Sequence, residues 1–134
     1  MVSRKIGVCF ILLLAFASVV IGVVLGVDDG VYFFEYGSSY CPHCSPLHEF
    51  LSQNFPGKAF FCDFSVNRTC EELFSELVSK GFPPYIPSTF IVKNGKVVGA
   101  VVGDIEDVGF WENTVKKASE LANSTHIPVW MGEK

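Results

Sequence analysis

The stretch from Phe33 to Phe55, FFEYGSSYCPHCSPLHEFLSQNF, constrains the fold more than any other part of the chain. A short apolar strand runs into the polar turn Gly37-Ser38-Ser39. Two cysteines follow, separated by Pro42 and His43, and then Leu47, Phe50, Leu51 and Phe55 recur at the spacing of one buried helix face. This order places Cys41 at the first turn of a helix. Backbone N–H groups are unpaired there and the macrodipole is positive, which favours thiolate over thiol, and the thiolate is the attacking species in disulfide exchange. Cys44, three residues on, lies one turn deeper and close enough to close a disulfide. Pro42 suits a first helical turn, whereas Pro46 predicts a kink or a restart.

The chain has 134 residues, enough for one domain and an appendage. From Ile6 to Val27 there are 22 residues without a charge. As a helix they span about 33 Å, enough to cross a hydrocarbon core of about 30 Å. Arg4 and Lys5 precede the run and Asp28-Asp29 follow it, so the positive-inside rule puts the N-terminus in the cytoplasm and the rest outside. The division is residues 1–27 as an anchor and 28–134 as an extracytoplasmic domain. A cleaved signal is the rival reading, since Ala15-Phe16-Ala17 fits the cleavage pattern, but cleavage there would leave VVIGVVLGV at the new terminus. Beyond Lys5 the remaining 8 basic residues face all 14 acidic ones, a net charge of −6, which argues against nucleic acid. Four cysteines follow the anchor, an even number that suggests two pairs in an oxidising space.

Taken in order, residues 31–36 read as a strand whose one charge is Glu35, and 58–65 as a second strand. Thr69 and Glu72 form a capping-box pattern, opening a helix with Cys70, Leu73, Phe74, Leu77 and Val78 on one face. Pro83, Pro84 and Pro87 forbid a helix before the third strand, 89–92. Asn94-Gly95 signals a hairpin to the fourth strand, 97–102. The last helix is expected from about Glu106 to Asn123 with Val108, Trp111, Val115, Ala118 and Ala122 inward, and the tail HIPVWMGEK has no assignable role. The result is an α/β fold, βαβαββα, with a mixed four-stranded sheet flanked by helices after one transmembrane helix.

The residues leave alternatives open. Cys41 and Cys44 fit a redox pair, Cys41 as nucleophile and Cys44 as resolving thiol. They also fit a structural zinc site completed by Cys62 and Cys70 or by His48, although zinc does not explain Pro42 or the Ile86-Pro87 strand start. His43 is either a solvated loop residue or a group whose imidazole and N–H stabilise the Cys41 thiolate, and the second is favoured. Glu35 is either half exposed at a strand end or a buried carboxylate that moves protons to and from Cys44. Cys62 and Cys70 are a structural bridge or a second redox pair. They lack a CxxC helix start, so the structural role is favoured. His48 is expected on the surface, and Tyr40 as a packing aromatic at the rim of the site.

Three motifs in this order, Cys41-Pro42-His43-Cys44 after a strand, Ile86-Pro87-Ser88-Thr89 before a strand, and the hairpin FIVKNGKVVGAVVG, resemble the thioredoxin-like superfamily over residues 31–122. The resemblance implies a minimal thioredoxin-like fold, a cis Pro87 facing the disulfide, and an Ile86 backbone that pairs with substrate. The CPHC motif and a glutamate six residues before its first cysteine are most similar to the DsbA-type disulfide oxidants, which favours the proton-moving role for Glu35. There is no room between Cys62 and Pro87 for the helical insertion of those proteins, and Ile86 before the proline is the thioredoxin residue. The thioredoxins' first strand and helix are absent or much shortened.

The sequence thus predicts a membrane-anchored, extracytoplasmic thiol–disulfide oxidoreductase that needs no cofactor or metal. Its partners are cysteine-containing protein substrates, a thiol or membrane protein for recycling, and the bilayer through residues 6–27. Oxidation or isomerisation is favoured over reduction. The rival class is a binding module that holds client chains, with its cysteines incidental.

Overall fold

The structure, a computed structural model, describes residues 30–132. The expected anchor lies outside the described residues, and among those described no helix is long and apolar enough to cross a membrane. Five strands and three helices form a mixed α/β fold: β1 (Val31–Gly37), α1 (Cys44–Asn54), β2 (Ala59–Asp63), α2 (Arg68–Ser79), β3 (Ser88–Lys93), β4 (Lys96–Val102), α3 (Val108–Glu120) and β5 (Val129–Met131). The sheet order is β2-β1-β3-β4-β5. β1 is parallel to β2, with Phe33 opposite Ala59 and Gly37 opposite Asp63, and antiparallel to β3, with Val31 opposite Lys93 and Tyr36 opposite Ser88. The β3–β4 hairpin turns through Asn94 (φ 51) and Gly95 (φ 78), the left-handed pair that a two-residue loop requires.

Alternation along β1 divides the interior in two. Val31 and Phe33 point to one face, where Leu47, Leu51 and Phe55 of α1 meet Trp111 and Ala118 of α3. Phe33 is the hinge of this cluster, with ring centroids 4.9 Å from Phe55 and 5.4 Å from Trp111. Each such fully buried side chain contributes roughly 1.5–3 kcal/mol. Tyr36 points to the other face, with Phe90, Ala100, Cys62 and Cys70, under α2. A disulfide joins Cys62 at the end of β2 to Cys70 in the first turn of α2, with Cα atoms 5.5 Å apart.

The architecture departs from the expected one in four places. The sheet has five strands rather than four, because Val129–Met131 pairs in parallel with β4. Trp130 supplies the reason. Its ring lies over Gly99 so closely that a Cβ there would come within 2.8 Å of it, and it packs against the α1–α3 core. α2 is capped by Asn67, whose side chain accepts from the Cys70 N–H at 3.2 Å, and Thr69 lies inside the helix, so no Thr69 cap forms. α3 runs from Val108 to Glu120, shorter than expected, and is capped by Asp107. α1 is one unbroken helix despite Pro46. Pro46 is its third residue, where no intrahelical N–H bond exists to be lost.

Replacing Cys62 and Cys70 together by alanine should lower stability by about 2.5 kcal/mol, the loop-closure entropy of a ring this size. A denaturant titration measures it, with Cys41 alkylation unchanged as the check that the opposite face is intact. Unaltered stability would show that the bridge does not constrain the unfolded chain.

Candidate functional site

The site forms where β1 ends. Helix α1 begins at Cys44, with His43 at its N-cap position, so Cys41 stands just before the helix in a turn rather than inside its first turn as expected. The turn is held by the Cys41 N–H donating to the Ser38 carbonyl at 3.0 Å and the Cys44 N–H to the Cys41 carbonyl at 3.4 Å. Both cysteines carry free thiols in this structure; Cys41 is partly exposed and Cys44 fully buried. Gly37 makes that burial possible. A Cβ on it would meet the Cys44 sulfur at 2.8 Å and the Phe61 ring at 3.0 Å, so the strand end can press against the thiol only without a side chain. Desolvation, and then a hydrogen bond with the Cys41 side chain, push the Cys44 thiol up to about 12, while the Ser38 backbone N–H works the other way.

Glu35 lies beneath the pair, two residues before Gly37 and on the α1 face of the sheet. Its neighbours across the ladder are Phe61 and Thr89. The side chain is fully buried, and neither carboxyl oxygen has a hydrogen-bond partner among the described residues; the same holds for the Thr89 hydroxyl. Burial first, then the charges of Cys41 and Asp104, raise the Glu35 carboxyl to about 8. At neutral pH it is a protonated acid facing a thiol. Of the two readings open in the sequence, the half-exposed strand end does not occur.

Register brings Pro87 to the same place. Ser88 opposes Tyr36, so Pro87 sits at the level of Gly37; it is buried, and the Ile86–Pro87 peptide is cis. Ile86 is partly exposed beside it, and Pro42 is exposed at the outer surface of the turn. Tyr40 does not pack at the rim but is 85% exposed. His48 is partly buried rather than on the surface, stacked on Phe61 with centroids 5.4 Å apart. Cys62 and Cys70 lie on the other face of the sheet and are joined to each other, so the four-cysteine zinc set does not assemble.

One residue was missed. Asp104 follows β4, and its Oδ2 lies 3.4 Å from Nδ1 of His43. His43 therefore turns toward a carboxylate. Asp104 is held in place by its neighbours: Gly103 N–H donates to the Pro87 carbonyl at 2.9 Å, and the Trp111 indole N–H to the Ile105 carbonyl at 2.6 Å. The Asp104 Oδ1 is buried without a partner among the described residues. The available signal was topological, since β4 pairs with the strand that Pro87 opens and so delivers its last residues to the same end of the sheet.

Two outcomes follow from these environments. Brief alkylation of the reduced protein at pH 8 should label Cys41 and leave Cys44 intact, read by peptide mass; labelling of both would mean that the Cys44 thiol is not buried. The raised Glu35 value also fixes a pH dependence. The unfolded carboxyl ionises near 4.5 and the folded one near 8, so stability is fullest below 4.5 and falls by about 1.4 kcal/mol per pH step until 8. Glu35→Gln should remove that slope in denaturation of the reduced protein, and Asp104→Asn should end it at a lower pH. A Glu35→Gln protein that keeps the slope would place its origin elsewhere.

No protein-family model matches the chain, and no curated protein matches it.

Proposed function

We propose that the chain is a thiol–disulfide oxidoreductase with a minimal thioredoxin-like domain, anchored in a membrane through residues 6–27 and facing an oxidising space. The observation that carries this reading is the pairing of a partly exposed Cys41 thiol with a buried Cys44 thiol above a buried, protonated Glu35. A zinc ligand set or a packing pair has no need of an uncharged acid beneath it. An exchange reaction does, because one sulfur must gain and lose a proton out of reach of water.

A substrate thiolate attacks the Cys41 sulfur of the oxidised pair, and the Cys41–Cys44 bond breaks. Its electron pair goes to the Cys44 sulfur, which takes the proton of Glu35, since burial at that sulfur favours the neutral thiol. The substrate's second thiolate then attacks its own sulfur in the mixed disulfide and displaces Cys41. The substrate loses two electrons and becomes a disulfide; the enzyme gains them as the Cys44 thiol and the Cys41 thiolate, and Glu35 and Cys41 take up the two protons that the substrate thiols released on ionising. Ile86, partly exposed at the strand entrance, has neither its N–H nor its carbonyl bonded within the described residues, leaving both free for an extended substrate segment. Oxidation or isomerisation is the favoured direction, with Pro42 and His43 between the cysteines.

The test is turnover of a dithiol peptide by the full chain in detergent, with the reduction potential measured against glutathione. Cys41→Ser should abolish exchange with the fold intact, and Cys44→Ser should accumulate a mixed disulfide. The potential should be less negative than roughly −270 mV, the value for thioredoxin. Client binding that survives in Cys41→Ser, with no turnover in the parent, would favour the binding module. A potential at or below roughly −270 mV would favour the reductase.

A further inference from the structure

Three aspartates and two lysines of the domain lie at opposite ends of its strands. β1, β2 and β4 all run toward the end that carries Cys41, Cys44 and Asp104. Asp63, Asp104 and Asp107 lie at that end, at or just past the ends of β2 and β4. The opposite end gathers the starts of β1 and β2, the Asn94-Gly95 turn and the C-terminus of α3, where the Lys96 ammonium reaches the Ala122 carbonyl at 3.4 Å. Lys58 and Lys96 belong to this end. Lys80 lies at the end of α2, paired with Glu76, and Glu120 is the nearby acid on α3.

The same end exposes aromatic surface. Tyr32 is 39% and Phe60 46% exposed, with ring centroids 5.9 Å apart on the sheet face beyond the cover of α2. The Lys58 ammonium stands 5.2 Å above the Tyr32 ring. Two residues, Asp28 and Asp29, separate the uncharged run ending at Val27 from Gly30. A connection that short spans at most about 11 Å. If the run is embedded in a bilayer, this end of the sheet stands at its surface.

We propose that this end is a lipid-facing surface that rests on an anionic bilayer. Tyr32 and Phe60 seat in the interfacial layer, as amphipathic and aromatic rings do, and Lys58 and Lys96 face headgroup phosphates. The seven residues of β1 then hold the cysteine site about 23 Å from the membrane, acidic side outward. This rests on residues 6–27 being membrane-embedded and is independent of the redox reading. A lipid occupant is favoured over a protein because the chain itself delivers these rings, with Lys58 and Lys96 beside them, to the bilayer.

The experiment uses the full chain in phosphatidylcholine vesicles with about 30% phosphatidylglycerol and brominated acyl chains. Phe60→Trp reports this end, and Val66→Trp, at a 76% exposed position past β2, reports the site end. The native Trp111 and Trp130 signal is subtracted using the parent. Lipid quenching at position 60 should exceed that at 66 by at least about threefold and should fall to the level at 66 in the Lys58→Glu/Lys96→Glu variant, in high salt and in uncharged lipid. Circular dichroism and Cys41 alkylation check that this variant folds. Equal quenching at the two positions, greater quenching at 66, or indifference to charge would overturn the proposal. Shielding of position 60 only on adding other proteins would overturn it in favour of a protein contact. Loss of the chain in an alkaline wash would overturn the embedded segment and the surface together, whatever the redox assays show.

Discussion

A buried carboxyl group in β1, with no hydrogen-bond partner among the described residues, is the constraint around which the site is arranged. Glu35 sits between Phe61 and Thr89, and a buried, unpaired acid costs about 1–3 kcal/mol even when neutral. The Phe33, Leu47, Leu51 and Trp111 cluster on the same face offsets that cost. A glutamine would fit the same space without the titration. Burial keeps the acid protonated at neutral pH beneath the Cys44 sulfur, and Gly37 and the α1 start bring that sulfur to the strand end and seal it from water.

The sheet separates two kinds of cysteine chemistry. On the α1 face the thiols are free, one of them is accessible, and a titratable acid lies below. On the α2 face Cys62 and Cys70 are bonded beside the stacked Phe64 and Phe74 rings. Identical residues take different roles because the environments differ, and alternation along β1 decides which environment each strand residue meets. The bridge ties α2 to the edge strand β2 from the far side and leaves the α1 turn untouched.

Much of this was legible in the sequence because it is encoded locally. The Cys-Pro-His-Cys turn, the Asn94-Gly95 hairpin and the helix faces are each written within a dozen residues. The cap of α2 was misread because Asn67 and Thr69 both resemble caps, and only the path of the chain out of β2 decides between them. β5 was invisible, since three residues carry no period, and what places them is Trp130 against Gly99, a contact across 31 positions. Asp104 escaped for the same reason. Nothing near it in sequence mentions His43. The residue that expresses both the strength and the limit of local reading is Glu35, whose position was plain and whose burial only the two flanking strands could settle.

In the proposed exchange reaction the direction of electron flow depends on the charges around Cys41. His43 stands between the cysteines with its side chain 69% exposed, and its Nδ1 lies 3.4 Å from the Asp104 Oδ2. Asp104 is 18% exposed and Glu35 fully buried. A charge in water acts through a dielectric near 80, and one at a protein site through an effective value of about 20, so the buried acids weigh roughly four times as much at equal distance. While Glu35 is protonated it adds no charge beside Cys41; once it ionises, a buried carboxylate opposes negative charge on that sulfur, the same coupling that helps to raise the Glu35 carboxyl.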